Sequence, residues 1–177
     1  VGPTARKADL LLADSQATAG DIHKLLGVSP DRIRVTPLGV GPEFSPRSEE
    51  ECRTARDKYK LPEHFFLYVG TLEPRKNLVR LVQAWDKAYD AGFPHLVIAG
   101  RRGWKARPIL DAMQNARNSD ALHLPGYVRE EDLPALLSAA KAFAWPSLME
   151  GFGLPPLEAM ACGTPVLTSN LSSMPEV

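Results

Sequence analysis

Short apolar runs alternate along this chain with segments whose apolar residues recur every three or four positions. Continuous apolar runs of four to eight residues fit buried strands, and the 3.6-residue period fits amphipathic helices. The first run predicts a strand over 8–14, followed by a helix that Ser15 caps and Gly27 stops. A second strand is expected over 33–36. The turn-rich stretch 37–46 reads as a connector. Ser48 and the three glutamates after it open another helix, where acids suit the positive end of the dipole. The run 65–69 is a buried-type strand. Leu78, Leu81, Val82, Trp85 and Tyr89 then mark one face of a helix. Further strands are predicted over 96–99, 121–124, 142–145 and 165–168. Helices are predicted over 108–116, 130–140 and 155–162, and Pro125-Gly126-Tyr127 reads as a turn.

Apolar strands separated by helices predict a parallel sheet covered on both faces. The expected fold is α/β, a Rossmann-like three-layer domain with a parallel sheet between two layers of helices. Ligands of such sheets bind beyond the carboxyl ends of the strands. Four loops fall on that rim: 70–77, 100–104, 126–129 and 147–154.

Composition narrows the function without naming it. The chain has 177 residues, enough for one domain with a real core. Its formal net charge of zero lacks the long-range attraction of a general nucleic-acid binder, so no nucleic-acid partner is expected. No apolar run reaches the ~20 residues that span a bilayer. Cys52 and Cys162 show no ligand spacing and read as ordinary reduced thiols, which suits a cytoplasmic protein. The four histidines are scattered and no acidic cluster appears, so no metal and no cofactor are expected.

The chemistry concentrates in the run from Glu150 to Glu158. Gly151 and Gly153 allow positive φ and close approach of the backbone to a ligand. Pro155 and Pro156 open a helix but carry no N–H, so the donors available to an anion or a sugar are Phe152, Gly153 and Leu154. Two carboxylates flanking such a turn suggest a nucleotide sugar. In the second loop, Gly70 and Thr71 follow a strand, and Arg75 and Lys76 stand near a helix start. Cations avoid a helix N-terminus unless an anion draws them there. The other readings are a solvated Arg-Lys pair and solvent-facing glutamates. Trp145 reads as core packing. The loop holding Arg101, Arg102 and Trp104 reads as solvated.

With these residues in view, the chain resembles the C-terminal, donor-binding domain of retaining glycosyltransferases of the GT-B fold, the large family 4 of sugar-nucleotide transferases. The resemblance covers nearly the whole chain. It rests on Ala-Asp-Leu-Leu-Leu-Ala-Asp-Ser15, Val35-Thr-Pro-Leu-Gly-Val-Gly-Pro-Glu-Phe44, Tyr68-Val-Gly-Thr-Leu-Glu-Pro-Arg-Lys-Asn77 and the E-x7-E pattern of Glu150 and Glu158. It implies that Glu150 contacts donor-sugar hydroxyls and stabilises the positive sugar ring, and that Gly151, Phe152, Gly153 and Leu154 line the sugar or diphosphate. It further implies that Glu158 binds ribose and that Lys76 with Arg75 neutralises the leaving diphosphate. Tyr127 and Val128 would receive the base through backbone groups. Thr71 stands where many members carry arginine. Leu38 and Gly41 stand where the family often shows Asn and Asp.

The resemblance also implies that 1–177 is a single nucleotide-sugar-binding domain without the N-terminal acceptor domain and the C-terminal tail. Such a piece is expected to bind donor and to transfer sugar poorly. A saccharide or lipid-linked acceptor, and any membrane association, would belong to the parent enzyme. The Glu-Pro-Arg-Lys-Asn variant is similar to that of mannosyl-transferring and polysaccharide-building members, which points to GDP-mannose. A non-catalytic nucleotide-binding or interaction module of the same fold is the other reading, because fold alone does not confer activity. A glycosidase pair is not expected, since a glutamate placed at ribose lies too far from the other carboxylate.

Overall fold

The computed structural model of the chain describes residues 2–177. It begins with a short helix, α1 (Gly2–Lys7), which the sequence reading does not anticipate. Strand β1 (Leu11–Ala13) is accordingly shorter than expected: the Ala8 amide still donates to the Thr4 carbonyl, so the helical turn consumes the start of the run. Helix α2 (Gln16–Leu26) starts where Ser15 accepts a hydrogen bond from the Thr18 amide, and Gly27 closes it in the left-handed conformation. Strand β2 (Ile33–Val35) follows. Helix α3 (Glu49–Lys58) carries the full reciprocal capping box between Ser48 and Glu51.

Five strands then form the main sheet: β3 (Phe65–Val69), β4 (His95–Ala99), β5 (Leu122–Gly126), β6 (Ala142–Trp145) and β7 (Val166–Thr168). All their pairings are parallel, in the order β5-β4-β3-β6-β7. The connecting helices are α4 (Leu78–Tyr89), α5 (Arg107–Gln114), α6 (Leu133–Ala139) and α7 (Leu154–Ala161). From β3 the chain winds outward through β4 to β5, crosses back beside β3 as β6, and continues to β7. With right-handed crossovers, this order puts α4 and α5 on one face and α6 and α7 on the other. The packing agrees, since α4 lies against α5, and α6 lies against both α3 and α7. The Rossmann-like α/β architecture is therefore present, and its order reverses between β3 and β6.

Two expectations need correction. The parallel strands do not all join one sheet: β1 and β2 pair only with each other. They enclose a small separate core of Ala5, Ala13, Val28 and Ile33, while the main core surrounds the five-stranded sheet. The second correction concerns Pro125 and Gly126, which extend β5 rather than ending it in a turn. Because β5 is an edge strand, a proline there costs no ladder bond to a further neighbour. The β4–β5 register shifts between Val97 and Ala99 to accommodate it.

The chain stays paired just beyond the carboxyl ends of β3 and β4. Gly70 donates its amide to the Ala99 carbonyl at 2.9 Å. Gly100 has φ 141°, and a Cβ there would overlap the Gly70 carbonyl oxygen. Gly100→Ala is therefore expected to cost about 3 kcal/mol or more, combining backbone strain with a clash against a main-chain atom. The check is the midpoint and slope of urea unfolding.

Candidate functional site

The loop after β3 and the loop after β6 leave the sheet on either side of the reversal in strand order. In the first, Pro74–Lys76 form a single 3-10 turn and Asn77 takes a left-handed conformation (φ 59°) before α4. In the second, residues 146–153 lead from β6 to α7. Backbone and side-chain bonds stitch the two together. The Leu148 amide donates to the Arg75 carbonyl at 2.8 Å, and Asn77 Nδ2 donates to the Pro146 carbonyl at 3.2 Å. Arg75 Nη1 donates to the Met149 carbonyl at 3.2 Å.

Glu150 closes this seam. Its Oε1 accepts from Lys76 Nζ at 2.5 Å and its Oε2 from Arg75 Nη1 at 2.8 Å. Lys76 is 5% exposed, and its Nζ stands 4.1 Å from the centroid of the Trp145 ring. Trp145 is itself buried, with its ring nearly parallel to those of Tyr68 and Phe143, so it is a core residue, as expected, and one whose face lies under a cation. Lys76 is thus not part of a solvated surface pair. The anion beside Arg75 and Lys76 in this structure is an internal one, Glu150.

Burial would push the Glu150 carboxyl up, but the Lys76 and Arg75 contacts outweigh it and hold it below the usual carboxylate range. The stability from that shift is present at neutral pH and fades as pH falls through the lowered value. Burial depresses Lys76, against the pull of Glu150. Arg75 is raised: burial opposes, and Glu150 overrides it.

The residues after Glu150 behave differently from the expectation drawn from their glycines. Gly153 does have positive φ (126°), but a Cβ there would meet Met174 Cε at 2.5 Å. A Cβ on Gly151, whose φ is not positive, would meet Asp14 Oδ2 at 2.9 Å. Both glycines make room for protein atoms. Among the described residues the amides of Gly151, Phe152, Gly153 and Leu154 donate to no protein acceptor. The carbonyls of Glu150, Gly151 and Phe152 are taken by hydroxyls that sequence reasoning missed: Ser172 on Glu150, Ser15 and Thr18 on Gly151, and Ser173 on Phe152. No spacing pattern marks these serines, because they come from both ends of the chain.

Glu158 lies one turn inside α7. It is half-buried beside a cavity of about 130 Å³ lined by Val69, Leu133, Leu137, Phe143 and Pro155. Burial and the nearby Glu43 push its carboxyl up. No cation pairs with it among the described residues. Gly70 packs against Trp145 and Tyr68, and Thr71 is exposed beside Gly103. Tyr127 is exposed beyond β5 with the Arg101 guanidinium 4.5 Å above its ring, and Val128 is buried. The structure therefore gathers Arg75, Lys76 and Glu150 into one cluster, with Glu158 farther along α7 and Tyr127 two strands away. A concavity of about 830 Å³ lies against β5 and α5 and includes none of those carboxylates or Lys76. Among the described residues no group of His, Cys, Asp and Glu has the arrangement of a metal site, and no helix is long and apolar enough to cross a membrane.

Two stability effects follow. Glu158 binds its proton more tightly folded than unfolded, so stability is lost as pH rises from the unfolded carboxyl value through the raised folded one, and the full cost stands above it. Glu158→Gln is expected to stabilise the protein at pH 7, and the gain should vanish below about pH 4, where both forms are neutral. Glu150→Gln is expected to cost about 2–4 kcal/mol, because it strands a buried Lys76. Lys76→Met should cost less, since Arg75 still holds Glu150. Denaturant titrations at pH 4 and pH 7 check both.

The sequence profile of the family described as "Glycosyl transferases group 1" matches residues 53–177. O-antigen chain mannosyltransferase B of Escherichia coli is 40% identical over 174 residues, covering 96% of this chain and 45% of that protein. The serotype-specific mannosyltransferase WbdA of Escherichia coli is 35% identical over 177 residues, covering 97% of this chain and 22% of that protein. The structure of Anabaena HepE in complex with UDP-glucose superimposes with a TM-score of 0.84 at 19% identity, over 98% of this chain and 48% of that one. This chain thus spans less than half the length of the proteins it resembles. The matched stretch is more than half of the chain and carries both loops of the seam, and the chain belongs to the glycosyl transferases group 1 family.

Proposed function

We propose that this chain is the donor-binding part of a glycosyltransferase of family 4, a single domain within a longer enzyme that also carries an acceptor domain and a C-terminal tail. In this reading it binds a nucleoside-diphosphate sugar and serves retaining transfer of a hexose to a saccharide or lipid-linked acceptor. The observation that supports the reading is that Arg75 and Lys76, and the uncommitted amides of 151–154, lie on the two joined loops that flank the reversal of strand order. That is where open α/β sheets bind nucleotides. The sugar is mannose, by analogy with the mannosyltransferases that are 35–40% identical, and GDP-mannose is the donor to test first. UDP-glucose, present in the HepE structure, is the comparison donor.

Each residue has a role in this proposal. Arg75 and Lys76 take up the charge that develops on the diphosphate as the glycosidic bond breaks, so the cations are in place before the reaction begins. Glu150, which holds both cations, faces the sugar hydroxyls and the positive ring. Gly151, Phe152, Gly153 and Leu154 donate amides to the sugar or the diphosphate. Glu158 accepts from the ribose hydroxyls, which supplies the partner its half-buried carboxylate lacks. Gly70 and Thr71 border the phosphates, and Tyr127 with Val128 borders the base. Two buried free thiols, Cys52 and Cys162, fit the reducing cytoplasm. The acceptor, and any membrane contact, belong to the rest of the enzyme.

Calorimetry with GDP-, UDP-, ADP- and dTDP-sugars tests the proposal. Saturable binding of one of them is expected. Lys76→Ala and Glu158→Ala should each weaken it about tenfold, the loss of a charge-assisted hydrogen bond. Glu150→Ala should chiefly erase the preference between sugars. Absence of binding across the panel would leave the non-catalytic module as the better reading.

A further inference from the structure

The carbonyl of Gly151 is gripped from a part of the chain that lies outside the family match. Ser15 Oγ donates to it at 2.5 Å and Thr18 Oγ1 donates to it at 3.0 Å. Ser15 is fully buried and accepts the Thr18 amide at 3.0 Å; of the two acceptors within reach of its hydroxyl hydrogen, the Gly151 carbonyl at 2.5 Å is nearer than Thr18 Oγ1 at 3.0 Å. Both residues belong to the β1-α2-β2 unit. A carboxylate from the far end of the chain holds the same helix end: Glu176 Oε2 accepts from the Gln16 amide at 2.7 Å and Oε1 from the Ala17 amide at 2.9 Å.

A trans peptide is planar, so its C=O and N–H point in opposite directions. Pulling the Gly151 carbonyl toward α2 turns the Phe152 amide away from α2. The neighbouring units are set the same way. Ser172 Oγ donates to the Glu150 carbonyl at 2.7 Å, which orients the Gly151 amide. Ser173 holds the Phe152 carbonyl at 2.6 Å, which orients the Gly153 amide. Three successive carbonyls are thus tied to hydroxyls, and three successive amides are left without a protein acceptor. Successive free amides are the donor set that an anion-binding nest requires.

We infer that Ser15 and Thr18 are positioning residues for the donor's diphosphate, acting through the Gly151 carbonyl on the Phe152 amide. The inference rests on the donor-site reading above. It adds that the middle amide of the nest is aimed from the separate two-stranded unit, so the geometry of the diphosphate site depends on how that unit is seated. Asp14, whose Oδ2 fills the space beside Gly151 Cα, reinforces the seat by leaving no room for the loop to rotate toward it.

The experiment compares ligands that differ in the diphosphate. Binding of the preferred nucleoside diphosphate and of its parent nucleoside is measured by calorimetry for wild type, Thr18→Val, Thr18→Ser and Ser15→Ala. Thr18→Val keeps the side-chain shape and spares the N-cap, so it stays informative if Ser15→Ala unfolds. Loss of one hydrogen bond to the carbonyl should weaken the nucleoside diphosphate about five- to tenfold. The nucleoside should bind as before, and Thr18→Ser should behave as wild type. Equal weakening of both ligands by Thr18→Val would reduce Thr18 to a structural contact and overturn the inference, as would no change in either. If wild type binds no nucleoside diphosphate, the donor-site reading falls and takes this inference with it.

Discussion

The buried contact between Lys76 and Glu150 is the constraint on which the rest of the site depends. A lysine that is 5% exposed has lost most of its hydration, and only a close partner makes that tolerable. Glu150 at 2.5 Å and the Trp145 face at 4.1 Å supply it. The two residues come from loops on either side of the reversal in strand order, so the pair joins the β3 and β6 ends of the sheet. Buried ion pairs seldom surpass a well-packed apolar pair in stability. In the proposed function, the charge retained at this point serves the donor rather than the fold.

Local features were legible because their physics is local. Ser15, Gly27 and the Ser48–Glu51 box announce helix ends through bonds made within four residues of each cap. Strands β3 and β6 were legible because both of their faces are buried, which leaves unbroken apolar runs. The assignment of β1 and β2 to a sheet of their own was not legible, since an apolar strand reads the same whichever neighbour it finds. The passage of β5 through Pro125 and Gly126 depends on its edge position, which is a tertiary fact. The positive φ of Gly153 is legible from its residue type, but the atom that demands its missing Cβ, Met174 Cε, follows from no spacing.

The site was legible in part for the same reason. Arg75, Lys76 and Glu150 could be named as residue types suited to an anion and a sugar. That Glu150 would itself be the partner of both cations, across 74 positions for Lys76, is a product of topology. The hydroxyls on the loop carbonyls are more remote still: Thr18 reaches Gly151 across 133 positions. A parallel pair of strands is marginal by itself. The β1-α2-β2 unit leans on the main domain through this same loop and through Glu176, so the contact that seats the unit also shapes the site.

Charge balance shows why the amides matter. Arg75 and Lys76 carry two positive charges, and Glu73 and Glu150, bonded to them, carry two negative ones. The cluster is formally neutral. An incoming anion therefore gains little from net charge and must compete with Glu150 for cations already satisfied. What it can gain without competition is the set of amides at 151–154, which have no protein acceptor, together with the start of α7 behind them. Pro155 and Pro156 remove the next donors along that helix, so at the start of α7 the uncommitted backbone donors are those of the glycine turn. A neutral ion cluster beside a fixed row of free amides favours a ligand that presents several acceptor oxygens at once over a simple monovalent anion. Its selectivity then depends on the precision with which the loop carbonyls are held.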